Sequence, residues 1–354
     1  MAYSFLVRLF NLPGRLGLKR FPDENGRPLR GSGSEKVFAD INGVRQGMFI
    51  QSTDPAHPVL LFLHGGLPEY FLTERYPTGL EADFTVVWWE QRGAGLSYSP
   101  GIPPETMTPE QFIADTLSVT DYLRNRFSKE KIWLMAHSGG TFTGLQAAAR
   151  APQAYCAYVG VAQMVHQLES EQRAYEYMLE RFRQAGNGRM VRKLVAAPVT
   201  TTAGTPKGYL AVRDRAMHSL GVGTTHDMTS VLRGVLWPSL VSQHYTPGEK
   251  IRLWRGKRSG GVAALWDEML AVDLAERVTE LALPAYFFHG VYDYTVSYQL
   301  AREYVEALKA PLKGFYTFDR SAHSPVMEEP QKAQTIMRED VLAGTNSLAD
   351  SSRQ

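Results

Sequence analysis

A chain of 354 residues, 44% hydrophobic and 21% charged, is long enough for one large domain with an insertion, or for two domains. Its 38 Lys and Arg against 36 Asp and Glu leave a net charge of +2, which excludes the concentrated basic surface of a nucleic-acid binder. The single cysteine, Cys156, excludes an internal disulfide and a cysteine-based metal site, and with six Trp and 17 Tyr it fits a reducing, cytoplasmic setting.

Residues 1–34 read as an N-terminal extension. In "MAYSFLVRLFNLPGRLGLKRF" Arg8 interrupts the apolar stretch and no cleavage site follows, so a signal peptide is disfavoured. The stretch is too short to span a bilayer; a short amphipathic helix docked on the protein, or on a membrane surface, fits it. "EKVFADING" and "VRQGMFIQS" then predict a hairpin around Asn42-Gly43. "PVLLFLHGG" and "FTVVWWEQRG" are continuous apolar runs ending in glycine, as buried sheet strands are. A helix follows in "TPEQFIADTLSVTDYLRNRF", with Thr108 as cap, Pro109 in the first turn and Gln111 closing a capping box. The strand "KIWLMAH", the helix "TFTGLQAAARAP" and the strand "AYVGVAQ" complete a first α/β segment, residues 35–164, in which Cys156 reads as a small buried residue.

Residues 165–280 change texture. Helical, polar segments surround irregular loops, and the basic "RLWRGKRSGG" (252–261) reads as a solvated loop. Strand–helix alternation returns over 281–343 with "LPAYFFHGVYD", "SYQLAREYVEALK", "KGFYTFDRSAH" and "PQKAQTIMRED". The polar residues 344–354 read as a flexible tail. The pattern predicts one α/β domain with a mostly parallel sheet, interrupted by a helical cap that covers a substrate site.

Candidate chemistry begins at Ser138. "Ala136-His137-Ser138-Gly139-Gly140" places a serine between small residues where a strand turns into a helix, and the helix N-terminus aims its free N–H groups at that corner. A serine hydroxyl needs an imidazole to take its proton, and the imidazole needs a carboxylate to fix its tautomer. Asp293 in "HGVYD" and His323 in "DRSAHSP" both follow predicted strands, and the chain order is Ser, Asp, His. Oxyanion donors are expected from the backbone of Gly139 and from the loop "HGGLPEY", with Gly66 as first choice and Leu67 second. His137 points away from the reaction by elbow geometry. The nine histidines show no metal-binding spacing, and no cofactor is called for.

"HGG", "WWEQRGAGLSYS", "AHSGGT", "HGVYD" and "SAHSP", in this order along most of the chain, resemble the α/β-hydrolase superfamily and its proline iminopeptidase-like branch of serine peptidases. The resemblance implies an α/β-hydrolase fold with a helical cap, a triad of Ser138, Asp293 and His323, and a bracing role for Glu90 and Arg92. It also implies an acidic site for a free amino terminus at the start of the cap, where Glu169 and Glu171 are the candidates and His166 could line the pocket. The branch usually reads HGGPG; Leu67-Pro68 here shortens that loop and alters the first subsite. Three activities stay open at this point. They are a cofactor-free serine hydrolase acting on a short peptide with a free amino terminus, a carboxylesterase of small acyl esters, and a small-molecule receptor on the same fold. A dehalogenase or epoxide hydrolase is disfavoured because the elbow carries serine rather than aspartate.

Overall fold

The computed structural model describes residues 29–202 and 204–350, together with Leu18, Lys19, Phe21, Pro22, Asn25 and Arg27. The expected N-terminal helix falls largely outside the described residues; Leu18 packs against the apolar core. Strands β1 (Gly33–Ile41) and β2 (Val44–Ser52) form the predicted hairpin. Asn42 and Gly43 both take positive φ, 48° and 74°, the backbone twist a two-residue turn needs. The strands β3 (Val59–Leu63), β4 (Thr85–Glu90), β5 (Ile132–His137), β6 (Tyr155–Val161), β7 (Ala285–Gly290) and β8 (Lys313–Phe318) complete an eight-stranded sheet. Its order is β1-β2-β4-β3-β5-β6-β7-β8, antiparallel through β1, β2 and β4 and parallel thereafter. Parallel strands share one C-terminal edge, so the loops after β3, β5, β7 and β8 meet there.

Helices α1 (Pro109–Arg126) and α2 (Gly139–Arg150) follow β4 and β5. Between β6 and β7 the chain forms α3 (Gln167–Gln184), α4 (Gly188–Val195), α5 (Lys207–Ser219), α6 (Trp237–Val241), α7 (Pro247–Ser259), α8 (Trp266–Ala271) and α9 (Leu274–Arg277). Helices α10 (Tyr298–Ala307), α11 (Pro325–Glu328) and α12 (Pro330–Ile336) flank the last two strands. Leu61, Leu134 and Phe287 on one sheet face bury against Phe142 and Leu145 of α2, Val119 and Leu123 of α1 and Ala301 of α10. Phe62, Met135 and Phe288 on the other face meet Phe71, Ala333 and Ile336. Both faces are covered, which is why β3 and β4 read as unbroken apolar runs. Residues of α3–α5 carry a small core of their own around Met178, Phe182, Leu194 and Tyr209. Cys156 is only half-buried on β6, and burial pushes its thiol pKa up, which disfavours the reactive thiolate.

Three expectations need correction. Thr108 caps α1 by accepting the Gln111 N–H at 3.3 Å, but Gln111 does not close the box; its amide donates to Asp115 Oδ1 at 2.8 Å. The "RLWRGKRSGG" stretch is helical, not a solvated loop, through Ser259: Thr246 and Glu249 form a full capping box, Pro247 opens α7, and Gly256 lets the helix approach the Gly93 carbonyl. Residues 344–350 are packed rather than frayed. Asp340 accepts the N–H groups of Ser347 (2.8 Å) and Leu348 (2.9 Å), Asp350 accepts that of Thr317 on β8 (3.1 Å), and Ala349 is buried. A polar composition concealed these turns because their hydrogen-bond partners, Asp340 and Thr317, lie outside the segment.

The loop after β4 is tied down by a buried ion pair. Arg92 donates from Nε to Asp115 Oδ2 (2.7 Å) and from Nη2 to Oδ1 (3.0 Å), while Gln46, Asn42 and Gln111 also donate to that carboxylate. Glu90 accepts from the Leu96 N–H and the Tyr245 hydroxyl, which joins the same loop to the segment before α7. Both residues therefore brace the fold. Asp115→Ala leaves the Arg92 guanidinium buried without its counter-ion and should destabilise the protein by about 3–5 kcal/mol, read as a lowered urea midpoint. A midpoint equal to wild type would show that the loop is held by other contacts.

Candidate active site

Ser138 stands at the C-terminal end of β5 with φ 55° and ψ −129°, a conformation that costs a non-glycine residue about 1–3 kcal/mol. The surroundings enforce it. A β-carbon on Gly140 would lie 2.6 Å from the His64 carbonyl oxygen and 2.7 Å from that of Leu63, so only glycine lets α2 start this close to β3. A β-carbon on Gly65 would lie 3.0 Å from Ser138 Oγ, which puts the loop after β3 directly against the serine. Gly66 and Leu67 follow Gly65 in the same loop, and Gly139 is the neighbour of Ser138 in the chain. Above Gly139 sit Val262 and Met269, from the residues between β6 and β7.

The second and third candidates come together at the adjoining strand ends. Gly290, which closes β7, lies so near the Ser321 and Ala322 carbonyls that any side chain would collide with them. The loops after β7 and β8 are thereby pressed together. His323 Nδ1–H donates to Asp293 Oδ2 at 2.8 Å. The other oxygen of Asp293 accepts the N–H groups of Thr295 (2.8 Å) and Val296 (3.0 Å), and His289 Nε2 lies 3.3 Å from Oδ2. Burial opposes charge on Asp293, yet His323 and His289 outweigh it and hold the carboxyl far below its ordinary range. Burial also lowers the His323 pKa, with Asp293 opposing, so the ring is neutral at neutral pH and keeps its Nε2 lone pair. Among the described residues Ser138 Oγ makes no hydrogen bond to His323; such bonds commonly tighten only around substrate.

A model of the α/β hydrolase fold matches residues 58–330, most of the chain. The chain belongs to the α/β-hydrolase family. Its relatives include proteins named as an aminopeptidase and as proline iminopeptidases. It is 32% identical over 303 residues to a Bacillus subtilis (strain 168) protein named "Probable aminopeptidase YbaC", covering 84% of this chain and 93% of that one. A proline iminopeptidase-related protein of Thermus thermophilus superposes with a TM-score of 0.58 at 20% identity, over 88% of this chain and 98% of that one. The proline iminopeptidase of Mycobacterium smegmatis gives 0.56 at 16%, over 88% and 98%. At these identities the two structures speak for the fold alone. Family and relative together make the chain a hydrolase.

In this α/β-hydrolase the remaining expected site residues have polar partners of their own. Glu171 is fully buried and accepts from Arg213 Nε (2.6 Å) and Nη2 (2.5 Å), Tyr209 OH (2.7 Å) and Gln167 Nε2 (2.9 Å). Glu169 pairs with Arg173 one turn on, at 2.6 Å, and is partly exposed. His166 caps α3, its Nδ1 accepting the Glu169 N–H at 3.1 Å. None of their polar contacts is with Ser138, Asp293 or His323.

Sequence reasoning missed three neighbours. Lys257 Nζ lies 3.5 Å from where a Gly66 β-carbon would sit, on the helix that had been read as a loop. Glu328 accepts the N–H groups of Ala322 (2.9 Å) and Ser324 (3.2 Å), on either side of His323, and that of His226 (2.6 Å) from the inserted segment. His323 N–H itself donates to the Gly223 carbonyl at 3.3 Å. Burial raises Glu328 to about 7. Glu69, in "HGGLPEY", contacts His137. Only Glu69 had a signal in the sequence, its place in the loop after β3. Among the described residues no group of His, Cys, Asp and Glu could hold a metal, and no helix is long and apolar enough to cross a membrane.

Proposed function

We propose that this protein is a serine hydrolase that cleaves small amides through an acyl-enzyme on Ser138, with aminopeptidase activity on short peptides. The observation that carries the reading is the buried Asp293–His323 pair, set at the same sheet edge as the strained Ser138. His323 Nε2 takes the hydroxyl proton as Ser138 Oγ attacks the substrate carbonyl. Asp293 keeps the opposite proton on Nδ1 and stabilises the imidazolium that forms. The oxyanion is met by the backbone N–H of Gly139 and by that of Gly66 or Leu67, and the α2 N-terminus adds its partial positive charge. His323 then protonates the leaving amine, and water, deprotonated by the same ring, releases the acyl group. Residues 165–280 act as a cap, with Val262 and Met269 excluding solvent above Gly139.

One observation favours an esterase of neutral acyl groups instead. Glu169 and Glu171, the carboxylates proposed to hold a free amino terminus, are both committed to arginines. Rates on Pro- and Ala-p-nitroanilide, acetyl-Ala-p-nitroanilide and p-nitrophenyl esters separate the two readings. We expect free amino termini to be cleaved at least about tenfold faster than acetylated ones, a preference of about 1.4 kcal/mol. Equal rates on blocked and free substrates, with esters far ahead, would replace the aminopeptidase reading by the esterase one.

A further inference from the structure

The residue before Ser138 forms a second carboxylate–imidazole pair, hydrogen-bonded at both ring nitrogens. His137 Nε2 lies 2.7 Å from the main-chain carbonyl oxygen of His323, an atom that can only accept, so Nε2 carries a proton. His137 Nδ1 lies 2.6 Å from Glu69 Oε1, and the other oxygen, Oε2, is buried without a partner. A carboxylate there makes Nδ1 a donor as well. With Glu69 as a carboxylate, both ring nitrogens carry hydrogen and His137 is an imidazolium.

The nearby histidines contrast with it. His64 donates from Nδ1 to the Gly65 carbonyl and accepts the Gln91 N–H at Nε2, the pattern of a neutral ring, and burial lowers its pKa to about 4. His323 donates from Nδ1 alone. Burial opposes charge on His137 too, but Glu69 overcomes it and the pKa ends above the ordinary histidine value. Phe62, Trp88, Val161, Val326 and Met327 wall the space around the pair, so its field is weakly screened. The charged or titratable groups that face it are Glu69 and His64 from the β3 end and its loop, Asp293 after β7 and His323 after β8.

We propose that Glu69 and His137 are positioning residues for the reaction assigned to Ser138: the His137 imidazolium pins the main chain of His323 and, as a fixed positive charge beneath it, keeps the His323 ring neutral. The ring centroids of His137 and His323 are 4.8 Å apart, close enough for one charge to disfavour the other. The His137 charge lowers the His323 pKa, and a smaller opposing effect of Glu69 raises it. The inference rests on the hydrolase reading above, since it assigns His323 a task.

Glu69→Gln separates charge from position. A glutamine amide can donate to Nδ1 while Nε2–H stays on the His323 carbonyl, so the loop is retained and the imidazolium becomes neutral. On the best substrate of the panel, the acid limb of kcat/KM should move upward by about 0.5–1 pH unit, with KM changed less than about twofold. Glu69→Asp, which retains the charge but is too short for the same contact, should restore the limb only in part. An acid limb unmoved in Glu69→Gln overturns the proposal. Nitrogen NMR of the wild-type histidines tests it without any variant: one ring should stay doubly protonated at pH 8, and all rings neutral at that pH would overturn it. Failure of the wild type to cleave any panel substrate would instead count against the hydrolase reading, and the NMR result would still decide the charge of His137.

Discussion

Ser138→Ala will lower kcat by about a million-fold while leaving the fold and substrate binding in place. Removing the nucleophile of a triad typically costs about 10⁶, and the residual rate comes from oxyanion donors and binding alone. Here the substitution removes only one oxygen, and alanine at φ 55° meets about the same backbone cost as serine, so thermal stability should change little. A fluorophosphonate probe should label the wild type at this residue and leave the variant unlabelled. Retained labelling or turnover in the variant would place the chemistry on another group and dissolve the role given to His323.

Asp293→Asn should cost about 10⁴ in kcat, with KM much less affected. The reason is proton placement. The carboxylate accepts from His323 Nδ1, which leaves Nε2 as the acceptor; an asparagine amide can donate to Nδ1 instead, pushing the hydrogen to Nε2 and disabling the base. The backbone N–H groups of Thr295 and Val296 require an acceptor at Oδ1, which forces the amide oxygen there and turns the amide nitrogen towards His323. The loss therefore follows from local hydrogen bonding rather than from unfolding. Near-normal turnover with an intact fold would mean that another carboxylate orients the ring.

The parts of this protein that were legible in the sequence are those written in local pattern. Apolar runs ending in glycine, the Asn42-Gly43 turn and the small residues around Ser138 each report a short-range steric demand, and the sheet formed around them. The placement of Asp293 and His323 after strands was also local, and their pairing followed from topology. Illegible were residues whose meaning depends on a distant partner. Glu171 looks like an exposed helix acid until Arg213, 42 residues away, is seen to grip it from both sides. Glu69 and Glu328 sit in the ordinary-looking strings "LPEY" and "VMEEP", yet one meets His137 and the other gathers N–H groups from two loops. Helix α7 was a different failure. Its capping signature, Thr246-Pro247-Gly248-Glu249, is present in the chain, but the glycines at 256 and 260 argued for a loop; Gly256 serves close packing against Gly93 instead.

The bridge made by Glu328 has a consequence for how such a molecule could work in cycles. Its carboxylate grips the peptide on either side of His323 with one oxygen and the N–H of His226 with the other. Were residues 223–226 to lift away, Glu328 would keep its hold on Ala322 and Ser324, but His323 would lose its main-chain bond to Gly223 and the carboxylate its anchor at His226. Opening of that side would then be felt directly by the loop that carries the imidazole, with no intermediary needed.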